Sequence, residues 1–264
     1  MTRRDPAKLV LGTWTAIVLV FLFAPLFVVA LFSFNDSPIS RFPLSGFTLE
    51  WYARLFSNTA MHGAIGNSLI VAVATVTIAL TLGITAAVGI RYSGGRAAAT
   101  LRAMSLTPMM VPRLVVAIAL LTLYNLVRSD LSLLTVISGH VVMTLPYVTL
   151  ISSARLAAFD KSMEEAAWDL GAGTVTIFKE ITIPFLKPAI IAAGLMSFTL
   201  SFDEVIVTFF TTGTENTLPM VIWSMLRFGL TPEVNAIATL TTIVSATFAV
   251  VAEVSLRRSH MLPS

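Results

Sequence analysis

The sequence predicts an all-α integral membrane protein with six transmembrane helices and both termini in the cytoplasm, and three observations carry that prediction. Of its 264 residues 56% are hydrophobic and only 12% charged, with a mean hydropathy of +0.87, far outside the composition of a soluble domain. Six apolar windows, at 9–34, 65–90, 105–127, 135–157, 187–210 and 236–256, are each long enough to cross about 30 Å of hydrocarbon at about 1.5 Å per residue. With the N-terminus inside, twelve Lys and Arg fall in cytoplasmic segments and four in outer ones (Arg41, Arg54, Arg128 and Arg227), the asymmetry that sets membrane orientation.

Each element follows in order. Lipid offers no partner to backbone polar groups, so the spans must be helices, and no alternating strand pattern suggests a barrel. The first run, Leu9 to Phe34, is about twice the length of a signal-peptide core and reads as a retained span. In the outer loop after it, "TLEWYARLFSN" places Leu49, Tyr52, Leu55 and Phe56 on one helical face with Trp51 at its side, as in an interfacial helix. The third window holds an oddity: Arg113 directly follows Pro112, several residues from either end. Near the outer end of the same window Tyr124 and Asn125 are polar residues that either pack or face a cavity. In the fourth, His140 reads as a helix-packing histidine. The fifth carries Asp203 and Glu204, 16 and 17 residues beyond Lys187, thus about 24–26 Å along a helix entered from the cytoplasm.

The cytoplasmic loop between the fourth and fifth spans, residues 158–186, is too long to be a plain connection. Ser162 and Glu165 form a capping-box pattern that starts a helix at Ser162. Gly171 or Gly173 ends it, and a second short helix runs from near Thr174 and stops before Pro184.

Several functions are excluded. The chain has no cysteine, no paired-histidine metal motif, no G-x-S-x-G element and no G-x-x-x-x-G-K-S/T phosphate loop, so no metal, cofactor or catalytic residue is expected. A net charge of +3 implies no nucleic-acid partner.

The loop carries a family signature. "EAAWDLGAGTVTIFKEITIP" has Glu165, Ala166, Ala167, Gly171, Ile181 and Pro184 at the spacing of the Glu-Ala-Ala loop of bacterial ATP-binding-cassette importer permeases, with Ile183 where that signature has Leu. "LFSFNDS", "WYARLFSN", "SFDEVIVTFFTTG" and "TLPMVIWSMLRFGLTPEVNAIATL" resemble the spermidine and putrescine branch. The resemblance implies a type I importer permease fold in a bacterial inner membrane, with residues 1–60 forming the first span and outer loop and 61–258 the permease core. It also implies three kinds of partner besides lipid: a second permease subunit, a cytoplasmic ATPase dimer that hydrolyses ATP on its own chains, and an extracytoplasmic substrate-binding protein, for which Glu215 and Asn216 in a polar outer loop are docking candidates. Glu164, Glu165, Ala166, Ala167, Asp169, Gly171, Ile181 and Pro184 are implied to couple the loop to the ATPase.

For the cargo pathway the candidates are Asp203, Glu204, Arg113, Trp51, Tyr124 and Asn125. A carboxylate in a low-dielectric path suits a protonated amine, and the family's Ser, apolar, Asp, acidic pattern favours Asp203. Adjacent helical residues point about 100° apart, so one acid faces the pathway while the other pairs elsewhere. Trp51 either anchors the outer helix or stacks on an organic cation. In the permeases this chain resembles, the residue after the equivalent of Pro112 is commonly acidic; Arg113 reverses that sign. It either snorkels or pairs with an acid, or it gives the pathway an anion-binding group suited to an amino-carboxylate or amino-phosphonate zwitterion. An ion-coupled secondary transporter, the other class of reading, would need no ATPase-docking loop.

Overall fold

A computed structural model of the chain describes residues 6–39, 41–228 and 232–260; Arg3 and Arg4 lie outside the described residues. Among these the protein is helical, and no strand is present beyond one isolated bridge between Asn35 and Phe47. The helices are α1 (Pro6–Phe32), α2 (Glu50–Ser57), α3 (Thr59–Tyr92), α4 (Gly95–Met110), α5 (Arg113–Leu126), α6 (Leu133–Ala157), α7 (Lys161–Asp169), α8 (Thr174–Ile177), α9 (Ile183–Phe202), α10 (Ile206–Thr211), α11 (Leu218–Phe228) and α12 (Pro232–His260). Among the described residues four helices are long and apolar enough to cross a membrane, Val10–Phe32, Thr59–Tyr92, Leu133–Ala157 and Thr174–Phe202, with α4 and α5 together a bent fifth.

The described residues fall into two units, those within Met1–Met61 and Ile222–Val244 and those within His62–Val221 and Ser245–Ser264. In the first, α1 exposes large apolar side chains on every side, Leu11, Trp14, Phe21 and Phe27 among them, as a helix solvated by lipid does. The short helix α2 buries Trp51 and Leu55, while Leu49 and Phe56 are exposed. This corrects the predicted face. The Trp51 indole N–H donates to the carbonyl of Asn35 at 2.8 Å, and that bond turns the helix.

The second unit is built around α6, which packs against α9 and α4, while α10 packs against α5 and α6. Its apolar layers are Val71, Val136, Ile137 and Val141; Ala79, Val148 and Ala193; and Ala87, Leu156, Leu186 and Ala189. Small residues on α3 allow close approach, since lipid leaves helix association to van der Waals contact. Gly83 is the tightest point: a Cβ there would sit 2.6 Å from Val148 Cγ1, and Val148 is fully buried. Gly83→Ala is therefore expected to wedge α3 from α6 and cost about 1–3 kcal/mol, seen as a lower midpoint of thermal unfolding in detergent.

Two predicted spans are corrected. The window 105–127 is not one helix: α4 and α5 meet at 108°. Pro112 cannot donate to the helical ladder, and it pushes Val111 into extended backbone (φ −92, ψ 135). The window 187–210 is also interrupted, because α9 ends at Phe202 and α10 starts only at Ile206. At its other end α9 begins earlier than predicted. The short helix α8 does not stop before Pro184 but continues into α9 through a π turn, Phe178–Thr182. That widened turn accommodates the proline, which has no N–H and whose ring crowds the carbonyl four residues back.

Candidate functional site

The two interruptions face each other. Arg113 is the first residue of α5 and Glu204 lies between α9 and α10, and the Arg113 guanidinium donates to Glu204 Oε2 at 2.9 Å. A cation at a helix N-terminus opposes the positive end of the helix dipole, and a carboxylate beside it offsets both charges. The second oxygen, Oε1, accepts from the backbone N–H groups of Ile206 and Val207 at 2.9 and 3.1 Å, donors that the start of α10 would otherwise leave unpaired. Glu204 is only 4% exposed, while the Arg113 side chain is 44% exposed. One buried carboxylate thus holds both helix breaks together.

His140 on α6 completes the arrangement. Fully buried, it lies 2.8 Å from Ser201 Oγ through Nδ1 and 2.8 Å from Thr208 Oγ1 through Nε2. The Thr208 hydroxyl donates its single proton to the carbonyl of Glu204 at 2.8 Å, so it must accept from the ring. Nε2 therefore carries the proton and Nδ1 accepts from Ser201. The histidine staples the end of α9 to α10, a packing role as the sequence suggests.

Asp203 differs from its neighbour. It is the C-cap residue of α9, it is exposed, and no hydrogen bond or ion pair engages its carboxylate among the described residues. In the structure Glu204 turns inward to Arg113 and Asp203 stays exposed. The chain breaks helical geometry at this point, so the two acids diverge through a loop rather than by the helical 100°.

Of the other candidates, the Tyr124 hydroxyl lies 2.6 Å from Ser138 Oγ and 3.2 Å from the Thr135 carbonyl. Asn125 donates to Leu121 O within its own helix. Trp51 belongs to the first unit, where the Arg54 guanidinium lies 5.0 Å over its ring and pairs with Glu50 at 2.6 Å and Glu233 at 3.8 Å. The indole's cation is thus supplied by this chain. Asn216 accepts from the Asn67 side chain at 3.0 Å.

The loop forms the predicted helix, glycine turn and helix. Its cap is Asp160 rather than Ser162: the Asp160 carboxylate accepts from the Ser162 N–H at 2.9 Å, a bond that holds its pKa below the usual carboxylate value. That contribution to α7 is present at neutral pH and is lost as pH falls through the lowered value. Gly171 ends α7 at φ +83, a left-handed conformation that only glycine adopts without strain. Glu165, Ala166, Trp168, Asp169 and Leu170 are exposed, Ala167 and Ile181 are half-buried, and Pro184 is exposed. Glu164 turns inward and receives a hydrogen bond from the Tyr92 hydroxyl at the end of α3.

The profile of the binding-protein-dependent transport system inner membrane components matches residues 79–260, more than half of the chain. The protein belongs to that family. The spermidine/putrescine transport system permease protein PotC of Haemophilus influenzae is 36% identical over 247 residues, covering 92% of this chain and 95% of the relative. The putrescine transport system permease protein PotI of Escherichia coli is 36% identical over 239 residues, 86% and 85% of the two chains. In fold, the permease resembles a chain from the crystal structure of a bacterial ABC transporter involved in the import of the acidic polysaccharide alginate, with a TM-score of 0.77 over 97% and 96% of the chains at 15% identity. A chain of the alginate transporter in complex with a periplasmic protein bound to an alginate pentasaccharide gives a TM-score of 0.73 over 98% and 95%, at 16% identity. Those likenesses concern the fold alone.

Within this permease the sequence missed three participants: Ser201 and Thr208, which hold His140, and Tyr92, which holds Glu164. Their hydroxyls sit on apolar helices and carry no signal of their own. Only the meeting of distant segments gives them a role.

Proposed function

We propose that the chain is the membrane-spanning permease subunit of an ATP-binding-cassette importer for a small organic cation such as putrescine or spermidine. The observation that carries the reading is 36% identity over most of both chains to permeases of polyamine transport systems. The site geometry supports it: Asp203 offers an open carboxylate, and Arg113, the one intramembrane cation near it among the described residues, is already paired with Glu204. This arrangement favours a cationic over a zwitterionic cargo. In this reading α4 with α5 and α12 complete six spans in a bacterial inner membrane, both termini lie in the cytoplasm, and residues 61–258 form the permease core. A second permease, an ATPase dimer docked on exposed α7 and an extracytoplasmic binding protein complete the importer. The test is uptake of labelled putrescine and spermidine by cells lacking other polyamine importers, with and without the intact importer genes. Uptake restored by the complete system is expected; equal uptake without this subunit would remove the reading.

A further inference from the structure

The sequence places Glu164 beside the Glu-Ala-Ala residues, where an exposed acid would face the ATPase. The structure points it the other way. Glu164 is 8% exposed and accepts a hydrogen bond from Tyr92, the last residue of α3. Among the described residues this is the one side-chain hydrogen bond that joins α7 to a membrane helix. The neighbouring Arg91 donates to the carbonyls of Leu156 and of Phe159 at the end of α6. Its guanidinium also lies 4.9 Å over the Phe159 ring.

Those contacts continue across the loop. Phe159, at the loop's start, meets Phe185, at its end, edge to face at 4.7 Å, and the Arg155 guanidinium covers Phe185 at 4.0 Å while its Nε donates to the Phe185 carbonyl. Two half-buried arginines thus flank two aromatics that meet edge to face, and cation–π contact holds the group together. The two ends of the loop are closed on each other, and α7 between them is held to α3 through a single hydroxyl.

We infer that the Tyr92–Glu164 hydrogen bond is a strut that delivers displacement of α7 to α3, making Tyr92 a positioning residue for coupling. This inference rests on the importer reading given above. A hydrogen bond between a buried carboxylate and a phenol resists both sliding and separation. Without it α7 moves against α3 without pulling it, and ATP hydrolysis proceeds while less cargo moves.

The test uses the complete importer, with its ATPase and binding protein, reconstituted in vesicles, and reads cargo moved per ATP hydrolysed. Tyr92→Phe keeps the ring and removes the hydroxyl. It is expected to lower that ratio about tenfold, the scale set by loss of a hydrogen bond to a charged acceptor, with ATP hydrolysis itself within about twofold. Glu164→Gln keeps an acceptor for Tyr92 and is expected to preserve the ratio; Glu164→Ala is expected to match Tyr92→Phe, and the double variant to be no worse than either single change. An unchanged ratio in Tyr92→Phe, or losses that add in the double variant, would overturn the strut. Failure of the unmodified importer to move putrescine or spermidine would instead overturn the functional reading, and the two failures are therefore distinguishable.

Discussion

Arg113→Met is expected to destabilise the permease more than Arg113→Met combined with Glu204→Gln. With the guanidinium gone, the Glu204 carboxylate keeps its two backbone donors at Ile206 and Val207 but loses its counter-charge while remaining 4% exposed. Removing one member of a buried pair costs about 3–5 kcal/mol. Because Arg113 is half exposed and partly screened, about 3 kcal/mol is the expected loss here. Glutamine at 204 still accepts from the α10 backbone and needs no cation, so the double variant recovers most of the deficit. The measurement is the thermal unfolding midpoint of the purified complex in detergent. A double variant no more stable than Arg113→Met would overturn this expectation, and losses that simply add across the two single variants would show that the pair carries no coupled energy.

Asp203→Asn is expected to have the opposite signature, loss of uptake with stability kept or raised. A carboxylate at a helix C-terminus faces the negative end of the helix dipole, and Asp203 has no hydrogen bond or ion pair among the described residues, only a through-space attraction to Arg113, whose guanidinium is bonded to Glu204. Such a residue does not help the fold. If a protonated amine passes it, losing the charge removes at least about 1.4 kcal/mol of stabilisation, or tenfold in uptake rate. Uptake kinetics beside a thermal melt of the same preparation separate the two effects; wild-type uptake would take Asp203 out of the pathway.

Much of this was legible in the sequence because hydropathy reports on composition. The windows for α1, α3 and α6 are apolar enough over their whole length to report long helices, which they became. The Glu-Ala-Ala spacing likewise marked α7 and the Gly171 turn. Composition cannot see a break whose flanks are equally apolar, so the α4–α5 bend was hidden although Pro112 was in view. Arg113 looked like an anomaly inside a span; its partner, 91 residues away in sequence, lies in a break that a second apolar run, 187–210, concealed. Trp51 shows the converse: helical periodicity ranked it below Leu49 and Phe56, and one indole hydrogen bond to Asn35 reversed the order.

The π turn at Phe178–Thr182 allows a proline-bearing segment to remain continuous from Thr174 to Phe202, a rod of 29 residues or about 43 Å. Its lower end emerges at the glycine turn after α7 and its upper end carries Asp203. A hinge at Pro184 would have absorbed any tilt locally. Without one, leverage is set by length, and a tilt of about 5° at the Thr174 end displaces the acid by about 4 Å.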